Sequence, residues 1–425
     1  MITFGILLGI ATLAIGVPIF IVFGLSGGVI VSMGLNLPWS TITQITFEAT
    51  TKYILLAIPL FIFAGALMID GGLAQRLVGV FSSFVGHLRG GLAISLVLAM
   101  AFFGAISGSI LAAIVAIGGV LIPIMEEKGY SKAYAAALTA ASAGLASLIP
   151  PSNGAIIFCA ITGASVAKAF MAGILPGLVN AGLLIILIIF QCRKMEPLPP
   201  AKWKERWLSL YHAIPAILSP VIILGGIYAG IFTPTEAAAV SCVWAVIVGV
   251  FFYRELTWAK MGKSLKTTVI ATSIIFALIA TASFLSVAFS YTRFPQNLTN
   301  FLLSVGVSPL SFLLMSALVC LILGFFIEVV PIMYLTIPIM LPMAIALKVD
   351  LLHLYIATGA FIGLGLLTPP VCVGAYTAAA TAQIPATLVI KALFPWFFIV
   401  GIVYGIICIF WPEMILLIPN MMKVG

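Results

Sequence analysis

Charged residues are scarce in this chain of 425 residues. Asp, Glu, Lys and Arg make up 7% of it, while 63% of it is hydrophobic, which is far from the composition of a soluble domain. Apolar stretches of membrane-spanning length occur, for example, at residues 3–31, 171–191, 214–232, 236–253 and 394–411. The sequence therefore predicts an all-α polytopic membrane protein. The first stretch is expected to be a retained helix and not a signal peptide, because it lacks a small-residue cleavage motif and many other apolar stretches follow it.

Residue patterns that would indicate an enzyme or a metalloprotein are also missing. No GxxxxGK[ST] motif is present, which excludes an ATP-driven engine in this chain, and no HExxH motif indicates a membrane metalloprotease. The sequence predicts no enzyme, no catalytic residue and no metal site beyond Na⁺. No cysteine pair has CxxC spacing and the three histidines lie far apart, so the six cysteines are expected to be reduced packing residues. These cysteines are Cys159, Cys192, Cys242, Cys320, Cys372 and Cys408.

The net charge of +8 lies mostly in short loops, which fits anchoring at a lipid surface better than nucleic-acid binding. Loop 192–206 carries five basic residues and loop 254–266 carries four, so both are predicted to be cytoplasmic. The counterpart of loop 192–206 half a chain away is the C-terminal tail, whose one basic residue is Lys423. The counterpart of loop 254–266 is the loop 33–51, which has no basic residue. Equivalent loops of opposite charge character predict two halves with inverted topology.

The same breaks recur in both halves at an offset of about 220 residues. They are Gly104–Ser109 and Pro150–Pro151 in the first half, and Gly324–Val329 and Pro369–Pro370 in the second. Pro176 pairs with Pro395, and Trp39 with Trp258, at an offset of 219. Paired breaks in two repeats are typical of the midplane site of a secondary transporter.

These breaks predict the division of the chain. The first inverted repeat covers 1–194 and contains scaffold helices, a re-entrant hairpin over 91–123 and a broken helix over 132–165. A cytoplasmic linker follows over 195–206. The second repeat covers 207–425 and contains scaffold helices, a hairpin over 310–343 and a broken helix over 352–381.

A helix that breaks inside a bilayer leaves backbone groups without partners, and each is costly in hydrocarbon unless something satisfies it. Freed carbonyls at helix C-termini suit a hard cation, and freed N–H groups at helix N-termini attract an anion. The residues at the breaks are small or hydroxylic, and their neutral oxygens suit reversible Na⁺ binding better than a tight divalent site. They include Ser107, Gly108, Ser109, Gly144, Ser147, Ser152, Asn153, Gly365 and Thr368.

Two acidic residues, Glu328 and Glu236, lie in apolar surroundings. A carboxylate within the membrane indicates function by default. Glu328 lies at the second hairpin tip, where it can ligate a cation, carry a proton or cap a helix. Glu236 follows Thr233-Pro234-Thr235, a pattern that favours a capping box with Thr233 as the helix cap.

Around these breaks the chain resembles the large membrane subunit of a tripartite ATP-independent periplasmic (TRAP) transporter, the DctM-like family. The resemblance covers nearly all 425 residues. It is carried by Gly104–Ser109, Ile149–Asn153, Met171–Gly177, Phe232-Thr-Pro-Thr-Glu-Ala237 and Leu367-Thr-Pro-Pro370. It implies an elevator mechanism, in which both hairpins and both broken helices slide across a scaffold to import an organic anion, usually with Na⁺.

The resemblance also implies positions for the sites. A first Na⁺ site would involve Gly104, Ser107, Gly144, Ser147 and Pro150, and a second would involve Gly324, Gly365, Thr368 and Val371. Substrate would lie against Ser109, Ser152, Asn153 and Glu328. The chain departs from the family pattern at two of these positions. Glu328 stands where many relatives have Asp, and Asn153-Gly154 stands where many have an apolar residue and Pro.

The resemblance further implies a bacterial inner-membrane location, Na⁺ as coupling ion and no organic cofactor. The expected partners are a small four-helix membrane subunit, expected as a separate chain, and a periplasmic protein that delivers a carboxylate or sulfonate such as a C4-dicarboxylate or a sialic acid. Two alternatives remain: H⁺-coupled transport of the same anion, and a passive channel or membrane scaffold. A channel needs a continuous polar lining, whereas the polar residues here cluster at the breaks.

Overall fold

The computed structural model describes residues 2–35 and 38–422, and within these residues the chain forms helices and no strand. The first half contains α1 (Ile2–Ala14), α2 (Ile19–Gly34), α3 (Trp39–Thr50), α4 (Tyr53–Asp70), α5 (Leu73–Val85), α6 (Gly91–Ser107), α7 (Ile110–Glu127), α8 (Lys132–Leu148), α9 (Asn153–Thr162) and α10 (Val166–Gln191). The second half contains α11 (Trp203–Tyr228), α12 (Pro234–Phe252), α13 (Trp258–Tyr291), α14 (Phe294–Ser304), α15 (Pro309–Gly324), α16 (Val329–Ala346), α17 (Leu351–Gly365), α18 (Val373–Ala382), α19 (Ala386–Phe410) and α20 (Pro412–Met421).

The all-α membrane fold predicted from composition is confirmed. Within the described residues, eight helices are long and apolar enough to cross a membrane, or nine if α8 and α9, which are bent by 41° at their break, form one span. The repeat is visible in the helices themselves. Adding 219 to the ends of α7 leads to the ends of α16, and the ends of α9 shifted in this way fall within one residue of those of α18. The inverted orientation of the halves stays a prediction.

Several predicted boundaries were wrong because glycine, proline and capping residues act locally. The apolar stretch 3–31 forms two helices, since Gly16 adopts a left-handed φ of +80° and Pro18 has no N–H to continue α1. The predicted loop 33–51 contains α3. The basic residues of 192–206 extend into the first turn of α11, and those of 254–266 extend over the first three turns of α13, so these loops are shorter than predicted. Lys423 and the side chain of Trp39 lie outside the described residues.

Each half folds back on itself at a hairpin. In the first half Gly108, with φ of +59°, ends α6, and the Ser109 hydroxyl caps α7 by accepting a hydrogen bond from the Ala112 N–H at 3.4 Å. In the second half α15 ends at Gly324, and Glu328 occupies the cap position of α16. The two helices of each hairpin contact each other, so the chain reverses direction at each break.

The broken helices are interrupted where two prolines follow one another. Ile149 takes the extended conformation favoured before proline, and the peptide bonds Pro150–Pro151 and Pro369–Pro370 are both cis. After the first break the Ser152 hydroxyl caps α9 by accepting from the Ala155 N–H.

The hairpins and broken helices interlock across the two halves. Each hairpin packs on the broken helix of its own half, as α6 does on α8 and α15 does on α17. Its second helix also contacts the far part of the other broken helix, so that α16 packs on α9 and α7 packs on α18. Helices α2, α3 and α4 pack on α13, and α12 packs on α4, beside this unit. The four breaks therefore meet at its centre.

Candidate functional site

A cavity of about 130 Å³ lies where the four breaks meet, and we call it the central cavity. Its lining comes from both hairpins, both broken helices and α13. The lining residues are Gly108, Ser109, Ile110, Leu111, Ala140, Gly144, Ser147, Asn153, Gly154, Ile275, Glu328, Val329, Val330, Gly363, Leu366, Leu367, Val373 and Gly374.

Four helices present their N-terminal ends to the central cavity. They are α7, α9, α16 and α18, and each contributes its first two residues to the lining. The first N–H groups of a helix have no partner within the helix, and the aligned peptide dipoles place partial positive charge at that end. Four such ends around one cavity favour an anion there.

The side chains around the central cavity add little fixed charge. None of the described residues that line it is Lys or Arg, and Glu328 is the one among them that can ionise. Glu328 lies at the repeat position of Ser109, 219 residues later. Whereas the Ser109 hydroxyl caps its helix, the Glu328 side chain makes no capping hydrogen bond, and it is exposed.

The structure brings together three of the four predicted substrate residues: Ser109, Asn153 and Glu328. The buried Asn153 Oδ1 has no hydrogen-bond partner among the described residues. Ser152 is absent from the described lining. Its hydroxyl donates to the Ser147 carbonyl at 2.6 Å and lies 3.3 Å from the Tyr355 hydroxyl. Ser152 therefore connects the break to the end of α8 and to α17.

The residues predicted for the first Na⁺ site lie around the C-terminal ends of α6 and α8. A Cβ added to Gly104 would lie 2.5 Å from the Ala146 Cα, so only glycine permits this approach of the two helices. The Ser147 hydroxyl donates to the Gly144 carbonyl at 2.8 Å, and both residues line the central cavity. Ser107 is buried against Gly65 of α4. Pro150 stands in the break between α8 and α9.

The residues predicted for the second Na⁺ site lie at the matching ends of α15 and α17. Gly324 and Gly365 face each other closely, since a Cβ on Gly365 would lie 2.7 Å from the Gly324 Cα. The Val371 N–H donates to the Phe325 carbonyl at 3.1 Å, which ties the hairpin tip to the Pro-Pro break. The Thr368 hydroxyl donates to the Leu364 carbonyl at 3.0 Å. In each half, two helix ends that carry partial negative charge therefore lie side by side.

Sequence reasoning placed neither Gly363 nor Tyr355 among the site residues. Gly363 lines the central cavity and is the exact repeat partner of Gly144, so the 219-residue offset was a sufficient signal for it. Tyr355 is buried in α17 and reaches Ser152 of the other half. No spacing in the sequence relates these two residues.

The predicted capping box at the start of α12 is confirmed. The Glu236 N–H donates to the Thr233 hydroxyl at 3.3 Å, and the Glu236 carboxylate accepts from the Thr233 N–H at 2.8 Å. Neither residue lines the central cavity. The string Phe232-Thr-Pro-Thr-Glu-Ala237 therefore starts a helix and is not part of this cavity.

Comparisons with known proteins agree with the architecture. Residues 6–414 match the family model described as "Tripartite ATP-independent periplasmic transporter, DctM component". The C4-dicarboxylate TRAP transporter large permease protein DctM of Pseudomonas aeruginosa is 38% identical over 377 residues, which are 88% of each chain. The isethionate TRAP transporter permease protein DctMQ of Oleidesulfovibrio alaskensis is 32% identical over 90% of this chain and 61% of its own length.

Among solved structures, the chain is similar to the Alcanivorax borkumensis YdaH transporter, whose crystal structure is described as having an unusual topology. The TM-score is 0.61, the sequence identity is 15%, and the match covers 91% of this chain and 90% of that one. This similarity supports the fold.

Proposed function

Because the chain belongs to the DctM family of tripartite ATP-independent periplasmic transporters, we propose that it imports a small organic anion, coupled to a sodium gradient, by an elevator movement. Its membership makes it the large permease subunit of such a transporter, which is not an enzyme. It is a multi-pass protein of the bacterial inner membrane. The substrate class, the coupling ion and the movement are our proposals.

The observation that carries the anion proposal is the convergence of four helix N-termini on the central cavity. A site built from backbone N–H groups holds an anion without a buried lysine or arginine, and so releases it readily. Asn153 adds an amide, which can donate to a carboxylate or a sulfonate.

The substrate class is supported by two relatives. They are named for a C4-dicarboxylate and for isethionate, so one chemistry, a small carboxylate or sulfonate, covers both names. The family description calls the transporter tripartite, which agrees with a small membrane subunit and a periplasmic binding protein as partners. The relative named DctMQ is considerably longer than this chain, as a fused large and small subunit would be.

The coupling ion is argued from the opposite helix ends. The C-terminal ends of α6 and α8, and of α15 and α17, lie in pairs behind the central cavity, and their carbonyls suit Na⁺. Glu328 supports the alternative of H⁺ coupling, because a carboxylate beside an anion must be neutralised by a proton or by a cation.

Uptake into proteoliposomes tests the proposal. They would contain this chain, its small subunit and the cognate binding protein, without ATP, and the probes would be succinate, isethionate and N-acetylneuraminate. We expect accumulation of one probe under an inward Na⁺ gradient and none under an equal K⁺ gradient. Accumulation driven only by a pH gradient would replace Na⁺ with H⁺ and assign the proton to Glu328. Equilibration without accumulation under every gradient would indicate a channel.

A further inference from the structure

A second cavity, of about 270 Å³, lies between the proposed scaffold and the proposed moving unit, and we call it the vestibule. Helix α13 and the junction of α3 with α4 form one side of it, and α9 and α16 form the other. It is lined by Ala49, Lys52, Ile161, Ser283, Ser286, Val287, Tyr334, Pro338, Leu341 and Pro342.

The vestibule lies along the same helices as the central cavity, because three helices line both. They contribute Ile275 and Ser286 from α13, Gly154 and Ile161 from α9, and Val330 and Pro338 from α16. At 1.5 Å per helical residue, these pairs separate the two cavities by about 10 to 17 Å. Lys52 and the C-terminal part of α13 lie towards the side that the loop charges predict to be outer.

The vestibule carries positive charge. Lys52 is the one ionisable cation among the described lining residues, and no Asp or Glu occurs among them. Its ammonium donates one hydrogen bond to the Ala160 carbonyl at 2.7 Å, and an ammonium has three protons to donate. Glu48, one turn earlier, accepts instead from the Gln44 amide at 2.9 Å.

Tyr334 supplies the second observation. The residue is 6% exposed, and its buried hydroxyl has no hydrogen-bond partner among the described residues. A buried hydroxyl without a partner is costly, and a polar molecule in the vestibule would satisfy it. The Ser283 hydroxyl already donates its proton to the Ala280 carbonyl at 2.6 Å, so it has no proton to donate to an anion.

We propose that the vestibule is a second binding site for a small organic anion, where the Lys52 ammonium and the Tyr334 hydroxyl hold a carboxylate or sulfonate on its way to the central cavity. The identity of the ligand rests on the proposed anion import. The charge of the site does not, because it follows from Lys52 and the lining.

A charge-sensing experiment tests the site without transport. The Ser286→Cys variant of the whole chain, in nanodiscs, would be treated with two thiol reagents: the anionic sulfonatoethyl methanethiosulfonate and the cationic trimethylammonioethyl methanethiosulfonate. The reaction rate of the unaltered chain, which reports its own cysteines, is subtracted from each measured rate. We expect Lys52→Gln to lower the ratio of anionic to cationic rates at least about fivefold. Lys168→Gln, on the same predicted side but in neither lining, should leave the ratio unchanged. An equal ratio with and without Lys52 overturns the proposal.

Uptake kinetics test the role in transport. Tyr334→Phe removes a hydroxyl that bonds to nothing among the described residues, so a purely structural Tyr334 predicts unchanged uptake. We expect Vmax/KM to fall about tenfold, with Vmax within about twofold, for whichever of the three probes the transporter takes up. Lys52→Arg should retain uptake and Lys52→Gln should lose it in the same way.

The outcomes separate the two proposals. If the unaltered transporter accumulates none of the probes, the proposed function fails, while the thiol rates still decide the vestibule. If it accumulates a probe and Tyr334→Phe matches it in Vmax/KM, the vestibule is not on the transport path and this inference is wrong. If Lys52→Gln does not fold, Tyr334→Phe decides alone. If Lys52 only caps the C-terminal end of α9, the vestibule binds no anion and the loss of the Tyr334 hydroxyl should not change uptake.

Discussion

Asn153 and Glu328 bring opposite chemistry to the central cavity. Asn153 is the first residue of α9, and its amide can turn either its oxygen or its NH₂ group towards a ligand. The Glu328 side chain is exposed at the start of α16. Under the proposed function, the Asn153 amide would assist the anion directly, and the Glu328 carboxylate would oppose it until a cation or a proton is present. The two residues therefore predict different mutant behaviour.

Asn153→Asp should lower anion uptake at least about tenfold, because it places a negative charge in a cavity that four helix N-termini make attractive to anions. The same change should not destabilise the fold, since an acidic residue in the first turn of a helix interacts favourably with the helix dipole. Uptake and the thermal midpoint would be measured together. Asn153→Ala is the matched control and should retain most uptake. A large fall in the thermal midpoint of the Asp variant would assign the loss to folding instead.

Glu328→Gln should weaken the dependence of substrate KM on Na⁺ while lowering accumulation. Without the carboxylate the anion meets no repulsion, so the cation that neutralises it becomes less necessary. The measurement is the ratio of substrate KM at low Na⁺ to substrate KM at saturating Na⁺. In the variant this ratio should be at least about fivefold smaller than in the unaltered protein. Glu328→Asp keeps the charge and should keep the dependence. A Gln variant with an unchanged KM ratio would rule out this role.

Pairs of helix ends are the next level of organisation. Gly104 against Ala146 and Gly324 against Gly365 bring the C-terminal ends of α6 and α8, and of α15 and α17, close together. A membrane-embedded carbonyl needs a partner, so the close approach concentrates acceptor groups where a cation can satisfy them. The glycines matter here for their missing Cβ, not for an unusual φ.

Gly104→Ala and Gly365→Ala should each raise the Na⁺ concentration for half-maximal uptake about tenfold, because the added Cβ forces the helix ends apart at an overpacking cost of about 1–3 kcal/mol. Gly182→Ala in α10 is the control, since nothing lies within 4 Å of its added Cβ. That change should leave uptake intact and stabilise α10 by up to about 1 kcal/mol. Equal effects of the three substitutions on Na⁺ dependence would contradict a cation role for the paired ends.

At the scale of the whole molecule, the interlocked hairpins and broken helices form one unit beside α2, α3, α4, α12 and α13. Helix α13 contacts α16 at their boundary, and the vestibule opens there. An elevator movement requires sliding at this boundary and little change within the unit itself. That requirement distinguishes two cross-links through the same cavity.

A cross-link between Ser283→Cys on α13 and Leu341→Cys on α16, made with a cleavable bifunctional thiol reagent, should arrest uptake, and cleavage should restore it. A cross-link between Ile161→Cys on α9 and Leu341→Cys joins two residues of the proposed moving unit and also occupies the vestibule. It therefore measures the loss of uptake that occupancy alone causes, and the first cross-link should lower uptake further. All three positions line the vestibule, so access to the reagent is matched. Uptake that survives the first cross-link, verified as complete, would exclude an elevator movement at this boundary.

Much of the fold follows from short-range rules that are legible in the sequence. Hydrocarbon demands satisfied backbone groups, so long apolar runs must be helices, and Pro-Pro and glycine breaks must lie where protein or ligand can compensate. The breaks at Gly108 and Pro150, their counterparts 219 residues later, and the capping box at Thr233 were all predictable in this way. The helix ends at Ala14, Thr50 and Trp203 were not, since helix bounds depend on single capping and turn residues.

The amino-acid sequence by itself determined the membrane class, the family, the repeat and five of the residues that line the central cavity: Ser109, Gly144, Ser147, Asn153 and Glu328. Only the tertiary structure decided that four helix N-termini face one cavity, that Ser152 reaches Tyr355 from the other half, and that Lys52 and Tyr334 share a vestibule. The reason is physical. Periodicity and breaks are properties of neighbouring residues, whereas a site is set by which helices pack together, and that depends on the shapes of surfaces far apart in the chain.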